Sequence, residues 1–365
     1  MPTTMPRFAR AAVAVLALFP FTGGPYPLAA LQMSGPDASD SAGAKTRKSA
    51  RVFRTSEPFE MSITADFKAV FKDRDSMSTK RFPGTIRYLG EAGDTVVLDV
   101  QLSTRGHFRL RPTTCAFPPI KVHFDKEKTK GGPFGGEGAL KIGTHCQKGD
   151  RYTQTTLLEY AANRMYSLMS PVSLKTRLAM ITWLNPSDPK FTITRPGMWV
   201  EDADDLAKQV GGTVVMQQGG TPADMDPKLM VVTDVFQYMI GNTDFSLWAL
   251  HNFRIIRTDS SITYLPMAYD FDWSGLVDAP YAVPDHRLPI RRVTDRLYRG
   301  ACHPTDLLNE AFGLFREKKD AIYGTLRDLP GLDPKRQQES TKYLDDFYKT
   351  IDDPGAVKRE FGRVC

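Results

Sequence analysis

From residue 58 the chain adopts a strand-like hydrophobic spacing, and the way that spacing later switches limits its possible folds more than any other feature. The runs EMSITADFKAVF, GTIRYL, DTVVLDVQLSTRG and CAFPPIKVHFD read as strands, with Gly and Asp at the breaks. One segment between strands takes up the helical period instead. In TQTTLLEYAANRMYSLMS, Leu157, Ala161, Met165 and Leu168 form an apolar stripe, with Thr residues available as N-caps and Glu159 off the stripe. TRLAMITWL and PGMWVED return to strand character, and helices dominate beyond residue 225. DPKLMVVTDVFQYMI stops at Gly241, DLLNEAFGLFREKKDAIYGTL follows, and LDPKRQQESTKYLDDFYKTI opens with Asp333 as N-cap and Pro334 at its first position. Between the first two helices lies a hairpin, NFRIIRT and ITYLPMAYD around DSS. The pattern predicts an α+β chain. A β-rich part with one helix covers 56–205, and a mainly helical part carrying the hairpin covers 206–365.

The start of the chain reads differently. Arg7 and Arg10 precede the apolar run AAVAVLALFPF, and small residues follow at Ala29 and Ala30, the layout of a secretory signal peptide over 1–30. The run is too short to span a bilayer, so no transmembrane segment is expected in the mature chain, which is predicted to be secreted or periplasmic. Residues 31–55, with LQMSGPDASDSAGAKTRKSAR at their start, read as a flexible linker. Taking the two signal-peptide arginines from the formal charge of +6 leaves a mild +4, which excludes nucleic acid as an expected partner. Export would allow Cys115, Cys146, Cys302 and Cys365 to form up to two disulfides in one of three connectivities. Because His145 adjoins Cys146 and His303 adjoins Cys302, a Cys/His zinc site is the alternative, although no C-x-x-C spacing supports it.

The chemistry concentrates around the hairpin. Asp244 follows the Gly241 stop in IGNTDFSLWALHNF, Asn252 stands at the head of the first strand, and AYDFDWSG places Asp270 and Asp272 just beyond the second. A hairpin forces its two ends together, so Asn252 and Asp270 must be neighbours with the Asp244 loop beside them. Three acids and an Asn on one edge repel one another unless a cation sits among them, and an all-oxygen set suits Mg2+ or Mn2+. The order loop Asp, Asn, hairpin, Asp is the plan of a phosphotransferase: one Asp acts on the acceptor hydroxyl, and the Asn and later Asp hold metal on ATP phosphates.

The segments RGHFRL (105–110), GMWVED (197–202), IGNTDFSLWALHN (240–252) and YDFDWSG (269–275) resemble the spore-coat protein H (CotH) family of secreted atypical kinases. The resemblance covers most of residues 100–300. It implies a bilobal protein-kinase-like fold and Mg-ATP-dependent phosphorylation of a protein acceptor on Ser or Thr. It also implies Asp244 as the catalytic Asp, Asn252 and Asp270 as metal-side residues with Asp272 beside them, and Glu201 near the nucleotide. The chain departs from the family after its RG element, where Phe117-Pro118 replace the usual Lys pair. Arg105, Lys121 and Lys141 are then the candidates to hold the phosphates, and Glu159 is a candidate to pair with such a cation. The departure also leaves open a non-catalytic pseudokinase or cell-envelope binding module, and transfer of AMP needs the same residues. The Gly-rich KGGPFGGEGALK matches neither GxGxxG nor a Walker loop and is read as a mobile turn over the nucleotide. Between Arg287 and Arg299, five arginines stand against one acid, Asp295, and either bind an acidic acceptor or a phosphate, or neutralise the acidic motif and the helix ends nearby. His251, beside Asn252, is either an acid–base group or structural.

Overall fold

A computed structural model describes residues 48–365; the expected signal peptide and the linker up to residue 47 lie outside the described residues. Strand β1 (Phe59–Ala65) buries Met61, Ile63 and Ala65 on alternate positions. Asp66 then ends it. Its carboxylate accepts the Ala69 N–H at 3.1 Å and starts helix α1 (Phe67–Lys72), so the run read as a single strand is a strand, a cap and a helix.

Strands β2 (Phe82–Leu89), β3 (Thr95–Thr104), β4 (Ile120–Phe124) and β5 (Ala139–Gly143) follow as antiparallel neighbours. After helix α2 (Asp150–Met169), β6 (Thr176–Leu184) and β7 (Thr192–Val200) form a hairpin. β7 pairs back onto β5 and β6 runs parallel to β1, which closes a seven-stranded mixed barrel in the order β1-β2-β3-β4-β5-β7-β6. Closure leaves the sheet without a free edge along its paired lengths. Its core gathers Ile63, Ile86, Leu102, Val122, Ile142 and Trp199. Phe134, from the Gly-rich segment, is fully buried there, stacked on Phe124 at 4.8 Å and against Trp199 at 5.0 Å. Phe134 therefore anchors that segment in the barrel core.

The closed barrel overturns the expected bilobal kinase-like fold with a helical C-terminal lobe. Strand spacing shows which residues face inward, but not that the sixth strand returns to the first. Helix α2 packs on β6 and β7 but does not belong to the β-rich part alone. Leu158, Ala162, Met165 and Tyr166 share one core with the helices that come later in the chain. The described residues accordingly belong to one compact unit.

Helix α3 (Ala203–Gln209) leads to β8 (Gly212–Val215). Helix α4 (Pro227–Met239) is capped by Asp226, whose carboxylate accepts the Leu229 N–H at 2.9 Å. It ends as predicted. Gly241 takes φ +63°, and a Cβ there would lie 2.0 Å from the Tyr343 hydroxyl. Strands β9 (Phe253–Thr258) and β10 (Leu265–Ala268) form the predicted hairpin, and β8 joins them in a sheet of order β10-β9-β8.

The next predicted helix is two, α5 (Thr305–Glu317) and α6 (Lys319–Arg327), parted at Lys318. Packing decides the break, since α5 lies on α4 whereas α6 lies on α2 and α7 (Pro334–Asp352). Asp333 caps α7 by accepting the Lys335 and Arg336 N–H groups, and α8 (Pro354–Glu360) follows. Among the described residues no helix is long and apolar enough to cross a membrane.

All four cysteines are paired, Cys115 with Cys146 and Cys302 with Cys365, which replaces the zinc alternative. Such pairing is compatible with an oxidising compartment. The second bridge closes a 63-residue separation and ties the chain end to the segment after Gly300. Replacing Cys302 and Cys365 together by Ser is expected to lower stability by about 2–4 kcal/mol in urea unfolding, because it releases a long loop in the unfolded chain.

Candidate functional site

The β9–β10 hairpin brings its ends together as its sequence predicts. Phe253 pairs with Ala268, and the Tyr269 N–H donates to the Asn252 carbonyl at 3.1 Å. Asn252 (φ 51°) and Asp270 (φ 62°) leave the sheet side by side in the left-handed region, as does Leu250 (φ 51°). Among the described residues only one other non-glycine residue, Asp278, does so. Backbone strain of this kind is sustained where the surroundings over-determine it, and it gathers at functional sites.

The loop from Gly241 holds Asp244 from several sides. Ser246 and His251 exchange backbone N–H···O bonds of 2.9 and 3.0 Å, which closes the loop. The Asn252 side-chain amide donates to the Asp244 carbonyl at 2.7 Å and to its Oδ2 at 3.0 Å, while His251 Nε2 lies 2.9 Å from Oδ1. That hydrogen bond to Asp244 raises the His251 pKa. Arg299 donates to the Thr243 and Phe245 carbonyls from behind. Of the other arginines in its stretch, Arg296 bonds the Tyr238 and Met239 carbonyls at the end of α4, and Arg287 and Arg292 pair with Asp285 and Asp295. Arg296 thus serves a helix end, whereas none of these ion pairs reaches Asp270 or Asp272, so the arginines do not neutralise the acidic motif by direct pairing.

A cleft of about 520 Å³ opens in front of this loop, bounded by Asp244, Asn252, Asp270 and Asp272 on one side and by Arg105, Arg109 and Glu159 on the other. Glu159 is off the predicted stripe but only 6 % exposed, because α2 is buried on nearly every face rather than on one. Burial, then the Asp272 and Asp270 charges, push its carboxyl well above the usual range. Asp272 is also buried, and burial with the Asp270 charge raises it to about 7, although the Tyr281 hydroxyl donates to its Oδ2 at 2.8 Å. Asp270 is exposed in the cleft, and its carboxylate accepts no hydrogen bond among the described residues.

The facing cations are incompletely used as well. Burial lowers the Arg105 pKa, and the Nε atoms of Arg105 and Arg109 are buried without a partner. Neither guanidinium forms an ion pair with Glu159, Asp270 or Asp272, although all of them interact electrostatically across the cleft. Arg109 was not a sequence candidate. Its signal was the four-residue spacing from Arg105 within RGHFRL, and Phe108 between them packs edge-on against Trp273 at 5.1 Å.

The other candidates lie elsewhere. Lys121 and Lys141 face each other across β4 and β5, outside the cleft wall, and Lys141 pairs with Asp202 at 3.7 Å. Burial lowers the Lys141 pKa, and Arg105, Lys121 and Arg254 lower it further. The Glu201 carboxylate is already engaged, accepting from Ser49 Oγ (3.1 Å), Gln209 Nε2 (2.7 Å) and the Lys175 N–H (3.1 Å), so it ties the start of the described chain to α3.

Among the described residues no three His, Cys, Asp or Glu side chains gather into a ready-made metal site. The set available, Asn252 and Asp270 with Asp272 behind, nonetheless fits Mg2+, which takes one or two carboxylates together with substrate phosphates and water. A larger cavity of about 1060 Å³ adjoins the cleft and shares Asp244, His251 and Trp273 with it; Phe245, Val283 and Leu288 line its far walls. No known protein-family model matches this chain, and no curated protein matches it.

Proposed function

We propose that this protein is a Mg2+- or Mn2+-dependent phosphotransferase that moves the γ-phosphoryl of ATP to a hydroxyl, on Ser or Thr of a protein acceptor. One observation carries the reading: two guanidinium groups with unpartnered Nε atoms face carboxylates with which they form no ion pair, across a cleft that ends at a rigidly held Asp. A polyphosphate satisfies the arginines, and its metal ion satisfies the acids. Asn252 and Asp270 would hold that ion, which neutralises charge on the β- and γ-phosphates. Asp244, shared between the cleft and the larger cavity, is placed to orient and deprotonate an acceptor hydroxyl arriving from the cavity side. Three of the four segments that resemble the CotH family contribute residues to this cleft. The seven-stranded barrel is the scaffold on which this chemistry would be mounted, and the proposal does not depend on a kinase-like fold.

A second reading, a non-catalytic binding module with the same cleft, is favoured by the absence of lysine from the cleft wall. Calorimetry of ATP binding separates the two readings. Wild-type protein is expected to bind ATP only with Mg2+ or Mn2+, and Asp270→Asn to weaken that binding by about tenfold or more, the effect of losing a charged metal ligand. Absence of binding with either metal sinks the phosphotransferase reading in favour of the binding module. The mass of the modified acceptor then distinguishes phosphate from AMP transfer.

A further inference from the structure

A second polar pocket lies outside the cleft, where β5 parts from β7. β5 accompanies β7 only between Gly143–Met198 and Lys141–Val200, whereas β6 follows it back to Thr192. The outer edge of β7 before Met198 therefore lacks a strand partner, and the chain through 145–148 diverges from it. A pocket of about 470 Å³ fills the gap. His145, Lys148, Lys190 and Arg195 border it, with Asp188 as its sole carboxylate.

Two of its nitrogen groups are left unsatisfied. His145 is 2 % exposed, its ring lies 4.4 Å from that of Phe117, and its Nδ1 has no hydrogen-bond partner. Arg195 donates from its terminal nitrogens to the Thr194 and Lys148 carbonyls at 3.1 and 3.2 Å, but its Nε is buried without a partner. Buried polar atoms left in this state are uncommon and need an explanation. Burial with the charges of Arg195 and Arg109 holds the empty His145 ring down to about 4, so an arriving anion would offset the surrounding positive charge. The Lys148 and Lys190 ammonium groups make no ion pair among the described residues, and Asp188 already accepts the Lys190 N–H at 3.2 Å.

We propose that this pocket binds a phosphate group carried as a monoester. A carboxylate presents two acceptor oxygens, whereas a phosphate presents three to the Arg195 guanidinium, the His145 ring and the two lysines together. Phe191 and Ile193 supply an apolar wall for the group that carries the ester. The site is separate from the nucleotide cleft, and nothing in it rests on the phosphotransferase reading.

The test titrates the protein with a phosphoserine tetrapeptide and with inorganic phosphate, each with and without saturating Mg-ATP. The peptide is expected to bind about fivefold more tightly than inorganic phosphate, and equally well with Mg-ATP present. Arg195→Gln is expected to weaken it about tenfold and Lys190→Gln about threefold, as for loss of one buried and one exposed charged contact. Lys190 is exposed and its side chain supports no other group, so that variant stays informative if Arg195→Gln disturbs β7. Binding unchanged in both variants, or displaced by Mg-ATP, overturns the proposal. Equal affinities for peptide and inorganic phosphate overturn the ester and leave free phosphate as the ligand.

Discussion

Asp244→Asn is expected to lower the proposed phosphoryl transfer by about three orders of magnitude, roughly 4 kcal/mol of transition-state stabilisation, while Mg-ATP affinity stays within about twofold. The size follows from the role proposed for this carboxylate. Removing a positioned general base costs about 10²- to 10⁴-fold, and a neutral amide cannot take the acceptor's proton. Specificity for turnover follows from the local structure. An Asn side chain has the same shape, and the loop is closed by the Ser246–His251 backbone pair and braced by Arg299, neither of which needs the Asp244 charge. Asn252 keeps its 2.7 Å bond to the residue-244 carbonyl, so the neighbouring metal-side amide stays in place. Single-turnover kinetics, run beside calorimetry of nucleotide binding, reads both quantities. If nucleotide binding falls together with turnover, Asp244 is a structural member of the cleft; if turnover is unchanged, the catalytic assignment is wrong.

What could be read from sequence was what neighbours in the chain enforce. Asp244, Asn252 and Asp270 follow the Gly241 helix stop within one loop and one hairpin, so their meeting was set by local geometry and the structure brings them to one cleft. Asp333 and Pro334 were legible for the same reason. The barrel was not. Its closure depends on β1 meeting β6 and β5 meeting β7 across long sequence separations, and strand periodicity carries no record of such partners. Glu159 and Arg109 show why the far wall of the cleft was only half visible. An apolar stripe on α2 implied that Glu159 pointed to solvent, but the core of later helices and the barrel cover the remaining faces of that helix. Arg109 was in view as a charge, yet its direction depends on the short turn at Phe108–Leu110 and on Tyr281, whose ring lies 5.8 Å from its guanidinium. Glu201 erred in the opposite sense, since its partners Ser49 and Gln209 come from segments whose approach no local motif announces.

The barrel seam itself is open to a direct measurement. Trp183→Ala is expected to destabilise the fold by about 3–5 kcal/mol, the range for deleting a large buried aromatic side chain whose cavity cannot collapse. Trp183 sits on β6 opposite Ile63 of β1 and Ile193 of β7, so it stands on the parallel pairing that closes the sheet. It is 1 % exposed, and its ring meets Phe67 edge-on at 5.5 Å and Phe117 at 4.8 Å. Phe67 opens α1 and Phe117 lies beside the Cys115–Cys146 bridge, so two separate parts of the chain lean on this one side chain. The bridge limits how far the walls can move inward, which places the expected loss toward the upper end of the range. Urea unfolding should show a lower midpoint with an unchanged slope. The cleft residues lie outside this aromatic cluster, so Mg-ATP binding by the folded variant should be retained. A loss under about 1 kcal/mol would mean that β1 and β6 are held together without this contact, and the closed barrel would then owe its stability to the antiparallel pairs alone.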